Sequence, residues 1–273
     1  MSSGAPSGGS PGARVEVAGI PLGAGCPLVL IAGPCVIEDE AVMSRAAGGL
    51  REICRGLGVP LIFKASYEKD NRSAPCADRG PGLSAGLALL ARLRAELDLP
   101  VTSDVHRTGD VAPAAEVLDL LQVPALLCRQ TSLLEAVGRS GRPVNLKKGQ
   151  FLGPRGMTGA VDKVRAVGSC QVMLTERGTT FGYDSLVCDM TAVPALQALG
   201  CPVAVDAGHA ANERGQIAVL ARCGVAAGAD ALFIECHPDP PAARCDGSRM
   251  LSLEELEALL RDVLPLAAAA RRL

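Results

Sequence analysis

The feature that most constrains the fold is a regular alternation of short apolar segments with longer helix-like ones. Eight segments are predicted as buried strands, because they are rich in Val, Ile and Leu and most follow a Gly, Pro or charged cluster. They are Leu28–Ala32, Pro60–Ala65, Pro100–Val105, Val117–Leu121, Pro143–Lys147, Gln171–Thr175, Pro202–Asp206 and Ala231–Glu235. The predicted helices are Glu38–Leu57, Leu83–Leu97, Gly109–Glu116, Ser132–Arg139, Ala160–Val167, Met190–Leu199, Arg214–Ala227 and Leu253–Ala270. This alternation predicts an α/β fold, a single-domain (β/α)8 TIM barrel.

The length of 273 residues suits such a barrel, which typically has about 250 residues. A doubly wound open sheet is the alternative, but it usually carries a Gly-rich dinucleotide fingerprint, and the sequence has none. The first 14 residues are rich in Ser, Gly and Pro and are predicted to be a disordered tail, with the barrel domain at residues 15–273. Val15–Ile20 is predicted to be a short strand that plugs the bottom of the barrel.

The composition excludes several classes of protein. The net charge is −2, only 2% of residues are aromatic, and no basic stripe occurs, which argues against nucleic-acid binding. No segment approaches the roughly 20 apolar residues of a membrane span. Eleven cysteines are scattered without a CxxC pair, and the tail lacks the apolar segment of a signal peptide. We therefore expect a cytoplasmic protein with reduced thiols.

The active sites of (β/α)8 barrels lie at the C-terminal ends of the strands. All three histidines, His106, His209 and His237, follow the ends of predicted strands. Cationic side chains follow five of the strands or lie in the loops beyond them: Lys64, Lys69, Arg72, Arg129, Lys148 and Arg177. Because Lys and Arg bind phosphate and carboxylate groups, the sequence predicts a substrate site for more than one anionic group.

A cysteine in the turn after the first strand, Cys35, has several interpretations. It is a buried filler, a redox thiol, a nucleophile or a metal ligand. His209, Glu235 and Asp246 also follow strand ends, and with Cys35 they offer a thiolate, an imidazole and two carboxylates. Such a mixed set suits a borderline divalent ion such as Zn²⁺, Fe²⁺ or Mn²⁺.

These segments, taken together, resemble the 3-deoxy-D-manno-octulosonate 8-phosphate synthases, a family of (β/α)8 enzymes. The resemblance extends from about residue 28 to 265. The segments that carry it are AGPCVIE, FKASYEKDNRS, RGPGL, TSDVH, LCRQTSLLEA, VNLKKGQF, VDKV, TERGTTFGYDSLVCDM, VDAGHA and FIECHPDP followed by CDG.

The resemblance implies condensation of phosphoenolpyruvate with D-arabinose 5-phosphate and water, in a homotetramer that serves lipopolysaccharide biosynthesis. It places phosphoenolpyruvate on Lys64, Lys69, Gln130, Lys148 and Arg177. It places the pentose phosphate on Asn71, Arg72 and Ser73. It makes Lys64, Lys69, Asp104, His106, Lys148, Arg177 and His209 the catalytic residues. Because metal-dependent members carry Cys in the first turn, it also implies a metal site of Cys35, His209, Glu235 and Asp246.

The sequence departs from the family in the loop after the seventh strand, which is shorter here. Gly208 stands where the family tends to have Thr, and Gly149 where it favours Pro. Loops that close over a barrel exclude water from the substrate. The alternatives are therefore a 3-deoxy-heptulosonate 7-phosphate synthase-like enzyme that uses erythrose 4-phosphate, and a catalytically impaired barrel that serves as a binding module.

Overall fold

A computed structural model describes residues 13–72, 77–183 and 185–271. Eight parallel strands, β3 to β8, β11 and β12, form a closed barrel in which β12 pairs with β3. The predicted TIM barrel is therefore confirmed. The strands are β1 (Arg14–Val17), β2 (Ile20–Gly23), β3 (Val29–Gly33), β4 (Leu61–Lys64), β5 (Val101–Asp104), β6 (Leu120–Val123), β7 (Val144–Lys147), β8 (Val172–Glu176), β9 (Thr179–Phe181), β10 (Ser185–Val187), β11 (Val203–Asp206) and β12 (Ala231–Glu235).

Helices connect the barrel strands and pack around them. Their bounds are α1 (Glu40–Leu57), α2 (Leu83–Leu97), α3 (Val111–Val117), α4 (Thr131–Arg139), α5 (Thr158–Ala166), α6 (Ala192–Gln197), α7 (Ala207–Ala210), α8 (Ile217–Ala226) and α9 (Leu253–Ala270). The longest, α1 and α9, are capped at their first turns by Asp39 and Ser252. None of the helices in the described residues combines the length and apolar character that a membrane crossing requires.

One predicted boundary is wrong. The apolar run Val117–Leu121 was expected to be a single strand, but α3 continues to Val117 and β6 begins only at Leu120. The backbone N–H of Leu118 donates to the carbonyl of Ala114 at 2.8 Å and completes the last helical turn. Between the two elements, the buried carboxylate of Asp119 accepts from the backbone N–H of Val101 at 3.0 Å.

A β-hairpin closes the N-terminal end of the barrel, where the sequence predicted one strand. Strands β1 and β2 pair antiparallel around Ala18 and Gly19, whose φ angles are 46° and 83°. Positive φ at both central residues is typical of the two-residue hairpin turn. Val15, Val17 and Leu22 are buried against the interior of the barrel. Residues 1–12 of the predicted tail lie outside the described residues.

The barrel interior changes character from one end to the other. Near the hairpin it is filled by apolar side chains such as Ile62 and Met173. Because side chains alternate along each strand, the same faces carry Lys64 and Thr175 two residues later, toward the C-terminal ends. The barrel thus presents a buried polar layer beneath the mouth formed by its C-terminal loops.

Candidate active site

A narrow cavity of about 70 Å³ lies at the C-terminal ends of the strands. The charged and ionisable side chains that surround it are Lys69, Asp104, His106, Lys147, Arg177 and His209. Strands β5 and β7 end in Asp104 and Lys147, His209 lies in α7, and the others lie in the loops that follow β4, β5 and β8. The closed barrel therefore brings residues that are distant in sequence to one pocket.

Two lysines and two carboxylates form a buried charge cluster next to this cavity. Lys64 Nζ lies 3.2 Å from Glu235 Oε1 and 3.7 Å from Asp104 Oδ2. Lys69 Nζ lies 3.7 and 3.8 Å from the same two oxygens. Burial alone would raise the pKa of Glu235, but His209 and the two lysines outweigh it and lower the pKa to about 2. The cluster therefore keeps both carboxylates ionised at neutral pH.

A chain of hydrogen bonds holds Asp104 in place from the next three strands. Gln122 donates to Asp104 Oδ1 at 2.5 Å, and Asn145 donates to Gln122 at 2.9 Å. Thr175 donates to Asn145 at 2.7 Å, and Ser66 donates to the other oxygen of Asp104. Burial would raise the pKa of Asp104, but Lys64 and Lys69 outweigh it and hold the pKa well below its ordinary value.

Asp206 lies between Lys147 and His209 at the end of β11. Its Oδ2 is 2.6 Å from Lys147 Nζ and 2.9 Å from His209 Nδ1, and its Oδ1 accepts from the backbone N–H of His209. Burial opposes ionisation of Asp206, yet His209 and Lys147 hold its pKa far below the ordinary value. Burial lowers the pKa of Lys147. The carboxylate thus orients the imidazole, whose Nε2 lies 3.7 Å from Glu235 Oε1.

Lys148 occupies a different environment from its neighbour. Its Nζ donates to the carbonyls of Leu152 and Gly178 and to Thr179 Oγ1, each at 3.0 Å. Glu176 lies 3.5 Å away, and both side chains are fully buried. Lys148 is not among the residues that line the cavity, since alternation along β7 sends Lys147 into the barrel and Lys148 toward the outer layer.

Cys35 lies in the turn after β3 and belongs to a cluster of potential metal ligands. Its Sγ is 2.9 Å from Cys245 Sγ and 3.2 Å from Asp246 Oδ2. Cys35 and Cys245 are buried, whereas Asp246 is partly exposed. Two thiols and a carboxylate suit a borderline divalent ion, and the three donor atoms lie within 4.8 Å of one another.

The four predicted metal ligands fall into two neighbouring pairs. Cys35 contacts Asp246, and His209 faces Glu235. The cluster around Lys64 lies between the pairs, since Lys64 donates to the Cys35 carbonyl at 3.1 Å and to Glu235 at 3.2 Å. Of the four predicted ligands, Cys35 and Asp246 belong to the group whose donor atoms lie within 4.8 Å of one another, and His209 and Glu235 lie outside that group.

The remaining predicted site residues differ in their distance from the cavity. Asn71 is exposed and lines it, whereas Arg129 and Gln130 are exposed just before α4 and do not line it. Ser73 lies outside the described residues. His237 is fully buried with its Nε2 3.4 Å from Glu38 Oε1, so it does not share the cavity with His106 and His209.

Three residues of this region received no role from the sequence: Lys147, Asp206 and Cys245. Lys147 could have been predicted from the sequence. In β7 the polar residues Asn145 and Lys147 alternate with apolar residues, so both polar side chains point to the same face of the strand. Asp206 ends its strand, as Asp104 does. Cys245 adjoins Asp246 in sequence, but nothing in the spacing predicts its approach to Cys35.

The turn that carries Cys35 depends on Gly33. Its φ is 154°, and a Cβ on this residue would lie 2.1 Å from the carbonyl oxygen of Lys64. We expect Gly33→Ala to lower the free energy of unfolding by about 1–3 kcal/mol, the usual cost of overpacking. Urea unfolding measures this change, with Gly48→Ala in α1 as the control, since a Cβ there meets no atom within 4 Å. Equal stability of the two variants would contradict the argument.

Comparison with known proteins agrees with this geometry. Residues 12–267 match the DAHP synthetase I family. The 2-dehydro-3-deoxyphosphooctonate aldolase of Desulfotalea psychrophila is 47% identical over 259 residues, which are 91% of this chain and 92% of the relative. The proteins of the same name from Syntrophotalea carbinolica and Trichlorobacter lovleyi are each 47% identical over 94% of this chain and cover 97% and 99% of the relatives. The chain therefore belongs to the DAHP synthetase I family, within the group that contains the 2-dehydro-3-deoxyphosphooctonate aldolases.

Proposed function

We propose that this protein condenses phosphoenolpyruvate with D-arabinose 5-phosphate and water to give 3-deoxy-D-manno-octulosonate 8-phosphate and phosphate. The observation that carries the proposal is the similarity to 2-dehydro-3-deoxyphosphooctonate aldolases along nearly the whole chain. The site agrees with it, because Lys69, Lys147 and Arg177 line one cavity. Three cations in one pocket suit substrates that carry two phosphates and a carboxylate.

The chemistry needs two anionic substrates held side by side. The C3 carbon of phosphoenolpyruvate attacks the aldehyde carbon of the sugar, water adds at C2, and phosphate leaves. No covalent bond to the protein is required, because phosphoenolpyruvate already carries the latent enol. The main contributions of the chain are then positioning and stabilisation of the charge that develops at the reacting centre.

Individual residues take different parts in this proposal. Lys69, Lys147 and Arg177 bind the phosphate and carboxylate groups of the substrates. Lys64 neutralises the carboxylates of Asp104 and Glu235, and Asp206 holds His209 in a fixed orientation. In this arrangement Lys147 takes the substrate-facing position that the resemblance gives to Lys148.

We also propose a divalent metal ion at the mouth, held by Cys35 and Asp246 together with His209 and Glu235. When bound, such an ion supplies a Lewis acid that polarises the aldehyde of the sugar. Cys35 contributes a thiolate ligand in this proposal. The proposal does not make it a nucleophile.

A phosphate-release assay tests the function. Purified protein with added Mn²⁺ or Zn²⁺ is expected to release phosphate from phosphoenolpyruvate only when D-arabinose 5-phosphate is present. Replacing the pentose phosphate by erythrose 4-phosphate is expected to give far slower release. Faster release with erythrose 4-phosphate would instead favour a heptulosonate synthase, and no release with either sugar would favour a binding module. The short connection from β11 to α8, residues 207–216, is the observation behind the last alternative.

By the same family relation we propose a cytoplasmic homotetramer. Light scattering coupled to gel filtration would measure its mass against the 27.9 kDa of one chain. A monomer under assay conditions would contradict this part of the proposal without affecting the proposed reaction.

A further inference from the structure

Cys245 is placed among charged and ligating groups, unlike the buried cysteines Cys54 and Cys236. Its Sγ lies 2.9 Å from Cys35 Sγ and 3.2 Å from Asp246 Oδ2. By contrast, Cys54 and Cys236 belong to the apolar core between the barrel and its helices. A buried cysteine normally acts as a small apolar residue. The surroundings of Cys245 do not fit that role, because among the described residues three apolar side chains, Val36, Met250 and Ala243, pack with the two thiols, and its other contacts are polar.

The guanidinium of Arg72 completes this cluster. Its Nη1 lies 2.9 Å from Cys245 Sγ and 3.6 Å from Asp246 Oδ2. The two sulfurs therefore lie beside a carboxylate and a guanidinium, and Cys245 has polar groups around it of the kind that bind ions.

We propose that Cys245 is a further metal ligand, so that the ion at the mouth is bound by two thiolates, Cys35 and Cys245. The other ligands are those of the site proposed above. This inference rests on the metal site proposed above and goes beyond it, because neither the sequence pattern nor the family relation gives a role to Cys245. Zn–S bonds are about 2.3 Å long, so two sulfurs on one ion can lie up to about 4.6 Å apart. The observed separations of 2.9 and 3.2 Å fall within that limit.

The main alternative is that Cys245 only positions Arg72. In that case its thiol would never contact the ion, and Ser, which also accepts a hydrogen bond from Arg72, would replace it at little cost. The two roles also differ in metal preference. A second thiolate selects thiophilic ions such as Zn²⁺ and Cd²⁺ over Mn²⁺, whereas a residue that acts only on Arg72 changes the affinity for all these ions alike.

Co²⁺ reports directly on thiolate ligation, because a cobalt–thiolate bond gives a charge-transfer absorption in the near ultraviolet. The full-length protein is loaded with Co²⁺ under a reductant that does not bind metal, without substrates. We expect Cys245→Ser and Cys35→Ser each to lose about half of this absorption and the double variant to lose it all. The control Cys170→Ser, which removes an exposed thiol far from the site in sequence, is expected to keep the wild-type spectrum.

Competition between ions supplies the second measurement. We expect Cys245→Ser to weaken Cd²⁺ binding by about 100-fold or more. Loss of a residue that only supports a metal ligand lowers metal affinity by about 10- to 100-fold, and loss of a ligand itself should cost at least as much. The affinity for Mn²⁺ should change by less than about tenfold, since Mn²⁺ prefers oxygen ligands. Circular dichroism of the metal-free proteins checks that each variant is folded, and Cys245→Ala serves if the serine variant is not.

The outcomes separate this inference from the proposed function. A Cys245→Ser protein with the full wild-type cobalt absorption would overturn the second-thiolate ligand and leave the proposed reaction intact. A wild-type protein without cobalt–thiolate absorption would overturn both the ligand and the proposed metal site. Phosphate release, which is measured separately, would then show whether the reaction itself survives.

Discussion

Replacing Lys147 by Met is expected to lower kcat/KM for phosphate release by about a thousandfold, the scale on which enzymes lose a preorganised charge donor. Lys147 lines the cavity, and its Nζ lies 2.6 Å from Asp206 and 4.2 Å from the centroid of the Phe233 ring. In this dry environment a cation interacts with phosphate or carboxylate far more strongly than it would in water. Steady-state kinetics with both substrates measure the loss.

Lys148→Met is the matched control, because it makes the same change one residue away, just past the end of β7, at a side chain that does not line the cavity. The Lys148 ammonium is enclosed by backbone carbonyls and Glu176. Its loss leaves a buried carboxylate unpaired, which costs about 3–5 kcal/mol of the free energy of unfolding. The kcat/KM of the folded protein is expected to stay within about tenfold of wild type. The opposite ranking, with Lys148 needed for turnover and Lys147 dispensable, would restore the role that the family resemblance gives to Lys148.

The barrel could be predicted from the sequence because its determinants are local and repeated. Short β-branched runs with Gly or Pro before them specify strands, and their alternation with helices leaves few topologies. The predicted start of the strand at Val117 was wrong, because a continuous apolar run does not show where a helix ends and the next strand begins. The hairpin at the N-terminal end of the barrel was predicted only as a strand. Its turn contains Ala18, a residue type that does not indicate the positive φ that it adopts here.

The candidate site could be predicted less completely, because strand ends identify a mouth without saying which way each side chain points. Lys147 and Lys148 are neighbours in sequence, and the structure places Lys147 in the cavity wall and Lys148 outside it. His237 follows a strand end as His106 and His209 do, yet its ring is buried near Glu38. The approach of Cys245 to Cys35 joins residues 210 positions apart, and only the closed barrel with its last loop brings them together.

Removal of the proposed metal ion is expected to reduce phosphate release by at least about a thousandfold, because a Lewis acid worth several kcal/mol would be lost at the reacting centre. Dialysis against a chelator should abolish turnover in the wild-type protein, and added Mn²⁺ or Zn²⁺ should restore it. In Cys35→Ala the added ion should restore little, because the thiolate at the centre of the cluster is missing. Metal content by atomic emission, measured on the same samples, shows whether turnover falls and recovers with the amount of bound ion.

The control for this experiment is Cys170→Ser. It removes an exposed thiol outside the cluster, so its turnover should respond to the chelator and to added ion as that of the wild type does.

If the chelated wild-type protein keeps full activity, the cluster around Cys35 is not needed for the reaction. The buried charged side chains would then have to polarise the aldehyde without an ion. Lys64 and Lys69 are the candidates, because they bring two cations to within 3.8 Å of Asp104 and Glu235. Lys64 is fully buried, so of these two lysines it is Lys69, in the cavity wall, that could face the aldehyde of the sugar. One ammonium polarises a carbonyl less strongly than a divalent ion does, which is why we expect the chelated protein to be inactive.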